Sequence, residues 1–319
     1  MLNPIKKDTI IEAHQCIEAH IHKTPILKSS QINSLLGCNI HFKCENFQKV
    51  GAFKSRGAIN AVFSLTEEEK SNGVCTHSSG NHAQALARAA RIANISAYIV
   101  MPNNSPKVKI DAVKNYGAEI TFCEPNLQAR ETTLETIIKH KKAIFIHPYN
   151  NWEVITGQAT AAKELIEKHD NLDIIIAPVG GGGLLSGTAL STHYFSRNTL
   201  VFGAEPENAN DAFLSLEKGE IIPSNNPDTI CDGLLTSLGD KTFNIISKYV
   251  DKIITCKEET IIKAMQLIFE RMKIVIEPSA AAALAIIMEN KNSFKNKNIG
   301  IILSGGNVDL DVFFNNFEI

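Results

Sequence analysis

Four consecutive glycines open a predicted helix in the stretch Pro178-Val179-Gly180-Gly181-Gly182-Gly183-Leu184-Leu185-Ser186-Gly187. They follow the apolar run Ile174 to Ala177, which is typical of a buried strand. Bare backbone N–H groups at a helix N-terminus, together with the helix dipole, favour binding of a phosphate group. An ordinary turn between a strand and a helix is the simpler interpretation, but it does not need four consecutive glycines. The stretch therefore predicts a phosphate-binding turn at the carboxyl end of a strand in an α/β protein.

Two other glycine-rich motifs fit this stretch less well. A Walker loop requires a lysine, and none lies in the glycine row. The dinucleotide fingerprint would place its third glycine on Leu185, which is too large for that position, although Glu205 follows at about the expected distance. A nicotinamide-dependent oxidoreductase is therefore the weaker alternative.

Short β-branched runs alternate with longer helical patterns along the chain, which indicates parallel sheets covered by helices. Thr9 and Glu12 suggest a capping box at the start of a first helix, whose apolar face would hold Ile10, Ala13 and Ile17. The predicted strands are Ile40–Phe42, Val74–Thr76, Tyr98–Met101, Glu119–Phe122, Ile144–Ile146, Ile174–Ala177, Leu200–Gly203 and Ile301–Leu303.

The composition is that of an ordinary globular protein. The chain has 319 residues, 44% of them hydrophobic, and a formal net charge of -2, so we expect two lobes and no nucleic-acid partner. No apolar run approaches the roughly 18 residues of a membrane span, and the first residues lack a signal-peptide core. We therefore expect a cytoplasmic protein with no membrane contact. The seven scattered cysteines lack zinc-site spacings and are expected to be reduced thiols.

A lysine suited to covalent chemistry lies in the stretch Ala52-Phe53-Lys54-Ser55-Arg56-Gly57-Ala58. The apolar run Ile40 to Phe42 leads towards it, and the aromatic Phe53 precedes it. Desolvation by such neighbours disfavours the ammonium form and lowers the pKa of the amine. Because most lysines are solvated surface residues, this interpretation of Lys54 needs partners elsewhere in the chain.

Two further polar turns follow predicted strands. The first, Ser78-Ser79-Gly80-Asn81-His82-Ala83-Gln84, offers hydroxyl and amide groups where ligands of open α/β sheets bind, although helix capping explains it equally simply. The second, Ser304-Gly305-Gly306-Asn307, would by itself pass for an exposed turn. A lysine, a phosphate-binding turn and two polar turns at strand ends are the set that a phosphorylated aldehyde cofactor held as an imine requires. Pyridoxal 5′-phosphate fits that description.

These motifs, in this order, resemble those of the fold-type II pyridoxal-phosphate enzymes, which have a two-lobed, tryptophan-synthase-β-like α/β fold with parallel sheets flanked by helices. The resemblance spans essentially the whole chain. It is nearest to the branch of serine racemase and the serine, threonine and threo-3-hydroxyaspartate dehydratases. It implies a large cofactor-binding domain from residues 1–64 and 152–319, a small mobile domain from residues 65–151, and a homodimer.

The resemblance also implies roles for individual residues. Lys54 would bind the cofactor covalently and act as the base on one face of the substrate carbon, while Ser79 would serve the other face. The implied cofactor contacts are Phe53 beside the ring, Asn81 at the 3′-oxygen, Gly180, Gly181, Gly182, Gly183 and Leu184 at the phosphate, and Ser304 at the pyridine nitrogen. The substrate carboxylate would lie against Ser78, Ser79, Gly80, Asn81 and His82.

A hydroxyl such as that of Ser304 does not enforce a charged pyridine as a carboxylate would, which favours elimination. The implied function is therefore dehydration and deamination of L-serine, L-threonine or threo-3-hydroxyaspartate to a keto acid and ammonia, with serine racemase activity alongside. A catabolic threonine dehydratase without racemase activity and a non-catalytic pyridoxal-phosphate protein are the alternatives. Tyr149, after His147-Pro148, resembles the dehydratases more than the animal racemases.

A metal and a nucleotide are implied in the same way. Glu205, the Ala209 carbonyl and Asp211 match the divalent-cation site of serine racemase, and such oxygen ligands suit Mg²⁺, Ca²⁺ or Mn²⁺. Without the resemblance, solvated loop acids would be the simpler interpretation. Activation by ATP or AMP occurs in this branch, but Val50 replaces a hydroxyl residue of the animal racemases, which argues against it here. The matching nucleotide positions are Ser29, Ser30, Lys49, Gln84, Tyr116, Lys273 and Asn307.

Overall fold

The computed structural model describes residues 3–105 and 107–309, in which helices and strands alternate. The helices are α1 (Lys7–Ile17), α2 (Ser30–Leu36), α3 (Lys54–Phe63), α4 (Glu67–Ser71), α5 (Asn81–Ala93), α6 (Lys107–Asn115), α7 (Leu127–Lys141), α8 (Trp152–Lys168), α9 (Gly183–Phe195), α10 (Asp211–Lys218), α11 (Asp240–Tyr249), α12 (Glu258–Met272), α13 (Pro278–Glu289) and α14 (Lys291–Phe294). Short 3₁₀ turns occupy Glu18–His20, Glu45–Phe47, Lys49–Gly51, Glu207–Ala209 and Asp232–Leu234.

The strands form two separate sheets. The six-stranded sheet has the order β1-β2-β10-β7-β8-β9, and only β1 within it pairs antiparallel to its neighbour. Its strands are β1 (Ile26–Leu27), β2 (Asn39–Cys44), β7 (Ile174–Pro178), β8 (Leu200–Pro206), β9 (Lys252–Cys256) and β10 (Asn298–Leu303). The four-stranded sheet has the order β5-β4-β3-β6 and is parallel throughout. Its strands are β3 (Val74–His77), β4 (Ala97–Pro102), β5 (Glu119–Cys123) and β6 (Ile144–Phe145).

The register brings the predicted motifs to one edge of the large sheet. The last strand, β10, lies between β2 and β7, with Ile299 opposite both Ile40 and Ile174. Because these strands are parallel, their carboxyl ends meet at the same edge. The glycine row after β7 and the turn after β10 are therefore neighbours, as the position of ligand sites in open α/β sheets requires.

Both faces of the large sheet are covered, which explains its nearly continuous apolar strands. Every residue of β7 is buried, and α13 buries all of its first ten residues from Pro278 to Ile287. No helix in the described ranges is long and apolar enough to cross a membrane. All seven cysteines are free thiols, as expected, and six of them are buried.

A buried ion cluster joins the lysine-bearing helix α3 to β2 and α8. The Arg56 guanidinium, 0% exposed, donates to Glu45 at 2.7 and 2.8 Å and to Glu164 at 2.8 and 3.0 Å. Lys43, also buried, donates to the Oε2 atom of Glu164, which also accepts from Arg56. The two cations and two carboxylates compensate one another, so none of these charges is left alone in the interior. The cluster holds the start of α3 rigidly, two residues after Lys54.

Candidate active site

Lys54 is the first residue of α3, and the backbone before it is tied to the last strand of the sheet. The Phe53 N–H donates to the Ser304 carbonyl at 3.0 Å, and Ala52 forms an isolated bridge with Gly305. Two of the predicted motifs are thus in direct contact. The Lys54 amine donates to the Pro148 carbonyl at 2.8 Å and lies 5.2 Å from the centre of the Phe53 ring. Burial lowers the pKa of Lys54 to about 8, although the nearby Glu277 carboxylate opposes this shift.

The glycine row connects β7 to α9 as predicted. Gly182 has a φ of 87°, in the left-handed region that favours glycine. A Cβ atom on Gly181 would lie 2.4 Å from the ring of Tyr149, and one on Gly180 would lie 2.8 Å from the backbone of Leu234. The turn therefore requires glycine on steric grounds. Since the first N–H groups of a helix have no partner within it, those at the start of α9 are available to an anion.

The hydroxyl of Ser304 is buried at the end of β10. Ser304 is 3% exposed, and its Oγ has no hydrogen-bond partner among the described residues. A buried hydroxyl without a partner is uncommon and needs an explanation, such as a ligand that occupies its position in the working protein.

The turn between β3 and α5 faces the end of the large sheet. Asn81 begins α5, and its amide donates to both oxygens of Glu277 at 3.0 and 3.1 Å. Asn307 donates to the Asn81 side-chain oxygen at 2.8 Å, which joins this turn to the one after β10. A Cβ atom on Gly80 would have no neighbour within 4 Å, so open space lies beside Gly80 in this turn.

His82 is buried behind this turn in a neutral form. Its Nε2 lies 3.0 Å from the Ile146 carbonyl, and because a carbonyl oxygen only accepts, Nε2 carries the proton. Its Nδ1 is then a buried acceptor without a partner among the described residues. Burial and the positive charge of Lys54 hold the pKa of His82 well below its usual range. The ring therefore positions the turn and does not supply positive charge.

Three residues beside this site were not assigned to it by sequence reasoning. Tyr149 packs on Gly181, and the buried Gln158 places its amide oxygen 2.9 Å from the position that a Cβ atom on Gly183 would take. Glu277 is buried beside Gly305, and desolvation raises its pKa to about 7. The sequence did carry a signal for Glu277, because it precedes Pro278 in the arrangement typical of a helix start.

The predicted metal ligands lie together near the end of β8. Glu205 is 0% exposed and accepts from the N–H groups of Ala212 and Phe213 at 2.9 and 2.8 Å. Asp211 is 4% exposed, and neither of its oxygens makes a hydrogen bond of ordinary geometry within the described residues. Burial raises the pKa of Glu205 to about 9 and that of Asp211 to about 6. No cluster of three or more His, Cys, Asp or Glu side chains suited to a metal occurs in the described ranges.

Three of the seven predicted nucleotide positions, Ser29, Lys273 and Asn307, form hydrogen bonds within this chain. Ser29 caps α2 by accepting from the Ile32 N–H at 3.4 Å, and Lys273 donates to the Glu270 carbonyl at 2.7 Å. Asn307 donates to the Val50 carbonyl at 2.6 Å. Val50 itself has a φ of 56°, which is strained for a β-branched residue.

Comparison with known proteins agrees with this geometry. The family described as "Pyridoxal-phosphate dependent enzyme" matches residues 17–305. A serine racemase of Dictyostelium discoideum is 52% identical, with 94% of each chain covered, and a beta-hydroxyaspartate dehydratase of Paracoccus denitrificans is 46% identical, with 95% of this chain and 96% of the relative covered. The structure of maize serine racemase is similar with a TM-score of 0.94 at 41% identity, covering 97% of this chain and 95% of that one.

The fold and the site thus define an α/β enzyme that works with a phosphorylated aldehyde cofactor. The chain belongs to the pyridoxal-phosphate dependent enzyme family, within the branch of the serine racemases and hydroxyaspartate dehydratases. A nicotinamide-dependent oxidoreductase is excluded by this membership. The residues present fit the cofactor, because Lys54 has a lowered pKa, the glycine turn would be filled by any Cβ atom, and the Ser304 hydroxyl lacks a partner among the described residues.

Proposed function

We propose that this protein eliminates water from small β-hydroxy amino acids, giving a keto acid and ammonia, and also racemises serine. The observation that carries the proposal is the contact between the Lys54 segment and the Ser304 turn at the sheet edge that also bears the glycine row. We assign Lys54 as the covalent anchor and Gly180 to Leu184 as the phosphate contact. Phe53, Asn81 and Ser304 are proposed as contacts of the ring, the 3′-oxygen and the pyridine nitrogen.

Bound pyridoxal phosphate supplies an electron sink that makes the substrate Cα–H acidic. The substrate carboxylate lies against the turn Ser78 to His82, next to the open space at Gly80. Once the substrate amine has replaced Lys54 on the cofactor, the freed amine of Lys54 would accept the Cα proton, and its lowered pKa keeps a substantial neutral fraction near pH 8. The β-hydroxyl then leaves as water when it receives a proton. Addition of water and loss of ammonia complete the keto acid.

Racemisation requires a second proton donor on the opposite face of the substrate carbon. We propose that the hydroxyl of Ser79, beside the open space at Gly80, delivers that proton. Elimination and racemisation then begin with the same proton removal by Lys54 and differ only in the following step. Loss of Ser79 should therefore abolish racemisation more strongly than elimination.

An assay on four substrates tests the proposal. Purified protein loaded with pyridoxal phosphate is given L-serine, D-serine, L-threonine and threo-3-hydroxyaspartate, and keto acid, ammonia and serine enantiomers are measured. We expect keto acid from at least one β-hydroxy amino acid, interconversion of the serine enantiomers, and a Ser79→Ala variant that keeps elimination but not racemisation. Absence of keto acid from all four substrates would contradict the proposal. Keto acid from threonine without racemisation would favour the threonine dehydratase.

We further propose that Glu205, the Ala209 carbonyl and Asp211 bind a divalent cation, Mg²⁺, Ca²⁺ or Mn²⁺. Support comes from the buried carboxylate of Asp211, whose oxygens lack ordinary hydrogen bonds among the described residues. A cation there would relieve the desolvation that raises the pKa of both carboxylates. By holding β8 and the start of α10, it would stabilise the large sheet.

The division into domains is also a proposal. The four-stranded sheet, from Val74 to Phe145, falls inside the proposed small domain of residues 65–151, and the six-stranded sheet falls in residues 1–64 and 152–319. We also propose a homodimer, on the basis of the family, and a cytoplasmic location, which the seven free thiols support. Because Val50 lacks a hydroxyl, we propose that ATP does not activate this protein, and turnover with and without ATP tests this.

A further inference from the structure

An ion pair joins helix α6 to the turn Asp232–Leu234, away from the reacting groups. Lys109 lies on α6, which belongs to the lobe built around the four-stranded sheet, and its amine contacts the carboxylate of Asp232 on the large lobe. The Lys109 side chain is 18% exposed and that of Asp232 is 50% exposed. The two residues are 123 positions apart in sequence, so the pair is a tertiary contact between lobes.

Asp232 stands on a turn that is fixed against the candidate active site. The turn Asp232–Leu234 packs on the glycine row, since a Cβ atom on Gly180 would lie 2.8 Å from Leu234 and 3.1 Å from the Gly233 carbonyl. Its other side is held by α13, where the Ser279 hydroxyl accepts from the Gly233 N–H at 3.0 Å. The Asp232 carboxylate is therefore held in a fixed position, where it can pair with a cation from the small lobe.

The same pair acts on the charge behind it. Burial raises the pKa of Glu277, which is hydrogen bonded to Asn81; the negative charge of Asp232 raises this pKa further, and the positive charge of Lys109 lowers it. Contact between Lys109 and Asp232 thus places a cation where two carboxylates would otherwise repel each other. This arrangement favours closing of the small lobe onto the large one, because closing brings the Lys109 ammonium close to the carboxylates of both Asp232 and Glu277.

We propose that Lys109 is a positioning residue that holds the small lobe closed over the substrate through its ion pair with Asp232. The pair acts as a latch: it shifts the population towards the closed state, in which the Ser78 to His82 turn meets the substrate. This inference rests on the elimination reaction proposed above. A partly exposed pair of this kind should change kcat/KM modestly, by about two- to fivefold, since exposed pairs contribute up to roughly 1 kcal/mol and 1.36 kcal/mol is tenfold.

A charge-swap series on the enzyme loaded with pyridoxal phosphate tests the latch. Lys109→Ala and Asp232→Ala should each lower kcat/KM for keto-acid formation about two- to fivefold, with no further loss when they are combined. Lys109→Asp should lower kcat/KM about tenfold, because two carboxylates then repel each other. The charge swap, Lys109→Asp combined with Asp232→Lys, should restore most of the wild-type kcat/KM. Lys109→Arg alone, which keeps the positive charge, should also retain most of it. The matched control is Lys70→Ala, which breaks an ion pair with Glu67 within the small lobe and should change nothing.

A second measurement reports closure directly. Borohydride reduces the bond between the cofactor and its lysine, and a less closed lobe should admit it faster, by about two- to fivefold in Lys109→Ala. High salt should produce the same acceleration in the wild type and little in the variant, since exposed pairs are screened.

The latch is refuted if Lys109→Ala matches Lys70→Ala in kcat/KM and in reduction rate, or if the charge swap is as impaired as Lys109→Asp. Failure of the wild type to form keto acid is a different result, which overturns the proposed function instead.

Discussion

Replacement of Gly181 by alanine tests the phosphate contact most sharply. The new Cβ atom would lie 2.4 Å from the Cδ1 and Cε1 atoms of Tyr149, whereas carbon atoms in ordinary contact are about 3.5–4.0 Å apart. The ring or the turn must therefore move by roughly 1 Å. Such overpacking costs about 1–3 kcal/mol of free energy. If this cost destabilises the cofactor-bound state, the affinity for pyridoxal phosphate falls by about 5- to 140-fold.

Two variants make this prediction specific. Gly80→Ala introduces the same methyl group where nothing lies within 4 Å and φ is −127°, so we expect unchanged cofactor affinity. Gly181→Ala combined with Tyr149→Ala removes the ring that the methyl group meets, and we expect it to regain affinity. The assay is titration of the cofactor-free protein with pyridoxal phosphate, followed by absorbance. Equal affinities for Gly181→Ala and Gly80→Ala would refute the assignment of the glycine row as the phosphate contact.

Three further predictions concern the metal, the ion cluster and the lysine. Mg²⁺ should raise the Tm of the wild type and of Glu119→Gln but not of Asp211→Asn, and an equal rise in all three would argue against a cation at Asp211. Arg56→Met should lower the free energy of unfolding by about 3–5 kcal/mol because it leaves two buried carboxylates, Glu45 and Glu164, with Lys43 in place of two cations, whereas Arg271→Met, at an exposed pair, should change it by less than about 0.5 kcal/mol; denaturant titration measures both. The rate at which cofactor-free protein combines with pyridoxal phosphate should rise with pH, with a midpoint near 8, since only the neutral amine reacts. Glu277→Gln should move this midpoint down, and an unchanged midpoint would contradict the interaction between these charges.

The sequence predicted β2 to β8 and β10, including the two-residue strand β6. It missed β1, which is partly buried, and β9, in which only Ile253 and Cys256 are buried. The first helix begins at Lys7 and not at a Thr9 cap, although Ile10, Ala13 and Ile17 are buried as expected. Thr9 lies inside the helix, where its hydroxyl accepts from the Lys6 N–H at 3.3 Å. The predicted capping box of Thr9 and Glu12 was therefore wrong.

Local sequence motifs predicted the main residues of the candidate site but not the residues that pack against them. Lys54, the glycine row and Ser304 each follow or precede a strand, so their edge of the sheet could be inferred from the order of elements. Glu277 and Tyr149 meet these motifs only in three dimensions; Glu277 contacts Asn81 across 196 positions of sequence. No periodicity or spacing reports a contact of that kind, which depends on how the elements around the two sheets pack.

The amine of Lys54 is the proposed attachment point of the cofactor. Borohydride treatment of the protein loaded with pyridoxal phosphate, followed by proteolysis and mass spectrometry, measures which lysine is modified. We predict a single modified peptide that contains Lys54 and its loss in Lys54→Ala, because the nearby Lys43 is buried in its ion pair with Glu164. Modification of another lysine, or of none, would contradict the account.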